Sequence, residues 1–229
     1  MRSAGLLVLW AAVVMVPPAA AAPAAGALQL PAAGRVVAVT VVARERPDPA
    51  ARAVHVFHDF RKDFRLQIVY ALHERTGTDG KPWLHVELPM RPNGELGWIP
   101  AASAELKPVT TIVVVHRRAR HLEVRRRGRS AFATIVAVGK RGAETPLGSY
   151  YVTARFTPTD PFYGPFALET SAYSRLSDWP GGGIVGIHGT SKPWLLGQAV
   201  SHGCVRVANS AALTLKQLVP VGSRIEILP

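Results

Sequence analysis

Ser201-His202-Gly203-Cys204-Val205-Arg206 is the stretch on which the reading of this 229-residue chain turns. It holds the only cysteine in the sequence. A lone cysteine is most often a small buried hydrophobe. The neighbours here suit chemistry instead, because a thiolate is stabilised by a nearby imidazole or positive charge, and His202 and Arg206 offer both. Gly203 puts no side chain beside the sulfur, so a substrate carbonyl can come close to the backbone. The amides of Gly203 and Cys204 can then face a developing oxyanion. Beyond the thiol, Val205 and Val207 continue an extended segment that ends at Asn209-Ser210, read as a helix cap. A helix from Ala211 to Leu218 stops at Pro220, and Arg224 to Leu228 reads as a final strand.

Upstream of the thiol, His188-Gly189-Thr190 closes a strand, Ile184 to His188, that follows the glycine break Gly181 to Gly183. A histidine at a strand end can reach a thiol as general base, its other ring nitrogen held by a backbone carbonyl in place of an aspartate. His188, His202 and Cys204 are also three plausible zinc ligands, but spacing of the CxxC or HExxH kind is absent, so no metal is expected. Further upstream, Thr111 to Val115, His121 to Arg125, Phe132 to Val138 and Tyr150 to Phe156 read as strands. Arg126 to Arg129 forms a turn between the second and third, and Thr145-Pro146-Leu147-Gly148 turns into the fourth. The expectation for residues 109–229 is a β-rich catalytic body with one clear helix.

These residues resemble the L,D-transpeptidase family, whose pattern is a histidine followed at moderate spacing by Ser/Thr-His-Gly-Cys. The resemblance runs from about Val109 to Pro229 and includes Thr145-Pro146-Leu147-Gly148 and Tyr163-Gly164-Pro165. It implies Cys204 as nucleophile, His188 as general base, the Gly189 carbonyl as its orienter, His202 as a shaper of the site, and the amides at His202 to Cys204 as the oxyanion hole. Tyr163, Ser201, Thr190 and Trp194 are candidate substrate contacts, although core or loop packing suits Tyr163 and Trp194 as well. The family pattern often ends in asparagine where this chain has Arg206, which is assigned to a stem-peptide carboxylate. The implied reaction starts with attack on the carbonyl of the third residue of a peptidoglycan tetrapeptide stem. Terminal D-alanine leaves, a thioester is held on Cys204, and an amine of a second stem resolves it without a cofactor. Such a thiol is a carbapenem target. Water as acceptor would make the enzyme an L,D-carboxypeptidase, and an idle second domain would leave a non-catalytic wall-binding protein. The Ser-x-x-Lys motif of serine transpeptidases is absent.

Residues 35–107 read as a separate small β domain. Val36 to Val42 is rich in β-branched residues, Leu66 to Leu72 is a second apolar stretch, and Leu84, Val86 and Leu88 alternate at period two. Asn93-Gly94 ahead of Gly97-Trp98-Ile99-Pro100 is a hairpin signal. Trp83 to Pro100 resembles the SH3-like module often found ahead of wall-acting catalytic domains, and this implies a small SH3-like β-barrel; on physical grounds Trp83 and Trp98 are read as core residues of it in preference to a ligand-stacking pair.

At the N-terminus, Arg2, the apolar run Leu6 to Val16 and the small residues through Ala24 read as an export signal, residues 1–24. The run is short of the roughly 20 residues of a spanning helix, so no membrane span is expected after cleavage. The expected location is the cell wall, periplasm or extracellular space, where one cysteine cannot form an internal disulfide. Lys and Arg number 27 against 15 Asp and Glu, a formal +12. Export argues against nucleic acid as the polyanion this charge meets and points to anionic wall polymers, with solubility the plainer role of the charge.

Overall fold

The computed structural model describes residues 28–177 and 182–229. The export-signal reading of residues 1–24 and the Gly181 end of the glycine break lie outside the described residues.

The N-terminal unit is a seven-stranded antiparallel sheet. Its strands are β1 (Ala32–Val36), β2 (Thr40–Arg44), β3 (Ala53–His58), β4 (Ile68–Thr76), β5 (Pro82–Glu87), β6 (Leu96–Pro100) and β7 (Ala104–Pro108). They pair in the order β3-β2-β6-β5-β4-β1-β7, an open ladder with β3 and β7 at its edges. Leu84, Val86 and Leu88 alternate into a core with Val36, Phe57, Val69 and Ile99. Period two puts Trp83, His85 and Glu87 on the opposite face of β5. Trp83 and Trp98 are therefore buried outside that core: the Trp83 indole N–H donates to Asp79 at 3.0 Å, and Trp98 stacks on His85 at 4.4 Å. The apolar run at Val36 to Val42 divides between two strands. Asn93-Gly94 is not a two-residue turn, since residues 88–95 all lie between β5 and β6.

The second unit holds β8 (Thr111–His116), β9 (His121–Arg126), β10 (Arg129–Ile135), β11 (Val138–Gly139), β12 (Gly148–Phe156), β13 (Ala167–Tyr173), β14 (Ile184–His188), β15 (Ala199–Ser201) and β16 (Val205–Arg206). The helix α1 (Asn209–Leu218) and β17 (Arg224–Leu228) complete it. Eight of these strands form one sheet, ordered β10-β9-β8-β17-β12-β13-β14-β16. The helix buries Ala211, Ala212 and Leu215 against the sheet's apolar residues. It starts from Ala208 without a side-chain cap, so the expected Asn209-Ser210 cap is not formed. The Asn209 side chain is used in the site instead.

Strand β13 was not anticipated. Its sequence, Ala-Leu-Glu-Thr-Ser-Ala-Tyr, carries polar residues on a face that meets protein and not water. Leu168 and Ala172 point into the core of the second unit. Glu169, Ser171 and Tyr173 each bond to the N-terminal unit. Arg61 donates to Glu169 at 2.5 Å, Ser171 Oγ donates to Glu87 at 2.5 Å, and the Asn93 side chain bonds the Tyr173 backbone. Tyr151 adds a hydrogen bond to the Ile68 carbonyl at 3.1 Å and a stacked contact with Tyr70 at 5.7 Å. The two units are thus docked along a full strand.

Candidate active site

Parallel pairing of β14 with β16 sets Ile187 opposite Val205 and His188 opposite Arg206. Ile187 and Val205 enter the core, and alternation puts His188 and Arg206 together on the other face. Cys204, two residues before Arg206, joins them in a small cavity with Phe162, Tyr163, Ser201 and His202.

His188 is almost wholly buried, and its Nδ1 lies 2.6 Å from the Gly189 carbonyl. A carbonyl only accepts, so Nδ1 carries the proton and Nε2 keeps its lone pair. Burial pushes the imidazole down to about 4; the Gly189 hydrogen bond opposes this and the Arg206 charge adds to it. The ring is neutral at pH 7. Burial also pushes the Cys204 thiol above its ordinary 9.0, against the Gly186 hydrogen bond and the Arg206 charge, which favour the thiolate. Gly186 N–H meets Sγ at 3.3 Å, and the Ile184 carbonyl stands 4.0 Å away. The sequence suggested a stabilised thiolate. In the folded chain burial disfavours the charged form of both the thiol and the imidazole, and among the described residues no direct hydrogen bond joins them.

The loop before Cys204 is clipped by Ser201. Its hydroxyl donates to the Cys204 carbonyl at 2.6 Å and accepts from Gly203 N–H at 3.2 Å. The Gly203 amide is therefore occupied, whereas none of the described hydrogen bonds uses the Cys204 N–H. That amide is left open to donate to an incoming acceptor.

The cavity is roofed by a 3-10 turn at Pro161–Tyr163, which Asp160 caps by accepting from Phe162 N–H at 2.8 Å. The Tyr163 ring meets the His188 ring edge-on at 4.9 Å, and Phe162 covers the Arg206 guanidinium. The turn is seated by close backbone approach: a Cβ on Gly164 or on Gly189 would lie 2.4 Å from Asn209 Oδ1. That oxygen accepts Thr190 N–H at 2.8 Å, which ties α1 to the loop after the base. The enclosed volume is about 10 Å³, no more than one water needs.

The other expected contacts lie elsewhere. Thr190 is buried, its hydroxyl accepting from Lys192 N–H at 3.0 Å. Trp194 is 69% exposed and does not line the cavity. Phe162 and Ser174 were not read from sequence, because a phenylalanine and a serine between elements carry no spacing signal, and Asn209 was read only as part of a helix cap. Among the described residues, no cluster of three or more His, Cys, Asp or Glu side chains is arranged to hold a metal.

Residues 110–227 match the family model of the L,D-transpeptidase catalytic domain, YkuD. Over 118 residues the chain is 35% identical to a putative L,D-transpeptidase YkuD of Bacillus licheniformis, covering 51% of this chain and 65% of that protein. A putative L,D-transpeptidase YqjB of Bacillus subtilis is 32% identical over 129 residues, covering 52% of this chain and 72% of that one. The chain thus spans just under two thirds of the Bacillus licheniformis relative, and half of a YkuD relative from Bacillus subtilis to which it is 38% identical over 93 residues, 40% of this chain. Among solved structures, an L,D-transpeptidase from Mycobacterium tuberculosis H37Rv superposes with a TM-score of 0.46 at 15% identity, across 87% of this chain and 96% of that one.

Proposed function

The chain belongs to the family of L,D-transpeptidase catalytic domains of the YkuD type, and from that membership we propose that it cross-links peptidoglycan stem peptides between third-position residues through a thioester on Cys204. The observation that carries this reading is the Gly189 carbonyl on His188 Nδ1, which leaves Nε2 as a neutral base in the cavity that holds the chain's only thiol.

His188 Nε2 takes the thiol proton as Sγ attacks the carbonyl carbon of the stem's third residue. The oxyanion forms against the Cys204 N–H, a contact made only in the transition state. Collapse breaks the C–N bond to terminal D-alanine, whose amine takes the proton from His188 and leaves. An acceptor amine then attacks the thioester and gives its proton to His188, which returns it to the departing sulfur as the thiol is released. Arg206 holds a free stem carboxylate. The export pattern of residues 1–24 supports a site of action outside the cytoplasm, where the chain's net positive charge would meet anionic wall polymer.

Incubation with a tetrapeptide stem, followed by mass spectrometry, tests the reading. A Cys204 adduct lacking one D-alanine, followed by cross-linked dimer, is expected. Tripeptide as the sole product would make the chain an L,D-carboxypeptidase. Absence of any adduct, with stem or carbapenem, would rule out acyl transfer and favour a wall-binding role.

A further inference from the structure

We propose that the N-terminal sheet is a working part of the active site: Asn93 and Arg91 act as positioning residues, through Ser174, on the peptide that aims the Cys204 N–H. The inference rests on the acyl-transfer reading above and adds to it where the oxyanion donor gets its orientation.

The contacts form one continuous path. In the segment between β5 and β6, the Asn93 side chain accepts Tyr173 N–H at 2.9 Å and donates to the Tyr173 carbonyl at 2.8 Å, as a neighbouring strand would. Arg91 donates to the carbonyls of Ser174 at 2.9 Å and Leu176 at 3.1 Å, and its guanidinium lies over the Tyr173 ring at 4.6 Å. The Tyr173 hydroxyl returns a hydrogen bond to the Pro89 carbonyl at 3.0 Å. Ser174 is held on both sides of its backbone, since its own N–H reaches Gly183 at 2.8 Å.

From that fixed position, Ser174 Oγ donates to the His202 carbonyl at 2.9 Å. The His202 carbonyl and the Gly203 N–H belong to one planar peptide unit. Ser201 holds its N–H end and Ser174 its carbonyl end, so the plane is pinned from both sides. Gly203 then turns the chain with φ +124°, and a Cβ there would lie 2.8 Å from the Ser174 Cβ. The next amide after this turn is the Cys204 N–H. One pin is local to the thiol loop, and the other is set by Arg91 and Asn93, which lie about 80 positions upstream of Ser174 and Tyr173 in the segment between β5 and β6.

A purely cohesive role for Asn93 and Arg91 makes a different prediction, and two reactions of the same sulfur separate the two. Acylation by a small neutral p-nitrophenyl ester develops an oxyanion, whereas alkylation by iodoacetamide does not. Neither needs stem recognition, so failure of the stem assay would challenge the proposed substrate and leave this test intact. In the full chain, Ser174→Ala should slow ester acylation by about 10-fold or more, in keeping with misalignment of an oxyanion donor, while alkylation changes less than about twofold. Asn93→Ala should act in the same direction and add nothing in the Ser174→Ala background. Arg61→Gln, which breaks the Glu169 contact elsewhere along the same interface, should alter neither rate. Equal loss of both reactions in Ser174→Ala, an Asn93 effect that persists without Ser174, or an Arg61→Gln variant that matches Asn93→Ala would each overturn the proposal. Arg91→Gln offers a second approach if Asn93→Ala does not fold, with the same selective loss expected.

Discussion

The Arg206 guanidinium carbon lies 4.8 Å from the centre of the Phe162 ring, and Arg206 Nε, though buried, has no hydrogen-bond partner among the described residues. A buried donor without an acceptor costs about 1–3 kcal/mol, and a stem carboxylate that reached Nε in the plane of the guanidinium would satisfy it. Arg206→Gln should therefore lower kcat/KM for a tetrapeptide with a free carboxylate by about 10- to 100-fold, the worth of a charge-assisted contact. Arg206→Lys should lose less. The preference for free over carboxyl-amidated stems should disappear in the Gln variant, and equal turnover of the two stems by the unmodified protein would remove the assigned role.

Phe162 and Tyr163 line the small cavity over the half-buried Cys204, so trimming either ring should widen access to Sγ. Phe162→Ala should speed alkylation of Cys204 by a bulky neutral maleimide more than by iodoacetamide. Equal acceleration of both reagents would mean that the ring does not gate the thiol.

The pairing of a depressed imidazole with a raised thiol sets the pH dependence. His188 is held down to about 4, so it remains an unprotonated base throughout the range in which an ordinary histidine would be lost. Acylation should persist as pH falls through 6.5 and decline only near 4. His188→Ala should slow acylation by about 10²-fold or more. Iodoacetamide alkylation of the wild-type thiol should rise on the alkaline side of 9.0. An acid limb at pH 6.5 that vanishes in the His188 variant would contradict this assignment.

Cys204→Ala should abolish covalent labelling and turnover while the chain stays folded, since one small side chain replaces another. Retained turnover, with folding checked by circular dichroism, would exclude a thioester mechanism.

Glu87, buried between the two sheets, is pushed up to about 7 by burial, against the Ser171 hydrogen bond and the Arg224 charge. The folded chain binds this proton more tightly than the unfolded chain, whose carboxyl titrates near 4.5. Its stabilising contribution is thus complete below about 4.5 and lost as pH rises through about 7, a total of about 3 kcal/mol. Glu87→Gln should flatten the fall in Tm between pH 5 and 8. An unchanged slope would place the pH dependence in other groups.

Much of the chemistry was legible in the linear sequence. His188, Gly189, Cys204 and Arg206 lie within 19 residues of one another, and a thiol between a histidine and an arginine, with a glycine at its side, restricts what the segment can do before any fold is known. Most strands of the second unit were legible for a similar reason, as runs of apolar and β-branched residues bounded by turn residues are local, although Phe132 to Val138 divides between β10 and β11. Strand β13 was not, because its outward side chains meet another sheet and so lack the polar-to-water contrast that reveals a strand. Asn209 looked like a cap, since the same side chain that caps a helix can accept an amide from a distant loop, and only the approach of Thr190 decides between them.

By itself, then, the sequence determined the candidate nucleophile, the candidate base and the β-rich frame, all of which depend on residue type and short spacing. The tertiary structure decided which amide near Cys204 remains open, what roofs the sulfur, how deeply the His188 ring is buried, and that Asn93 connects to the thiol loop through Ser174. Those features depend on burial and on hydrogen bonds between residues far apart in the chain, such as Asn93 with Tyr173 and Ser174 with His202. The energy of such contacts comes from excluding water around groups that only the fold brings together.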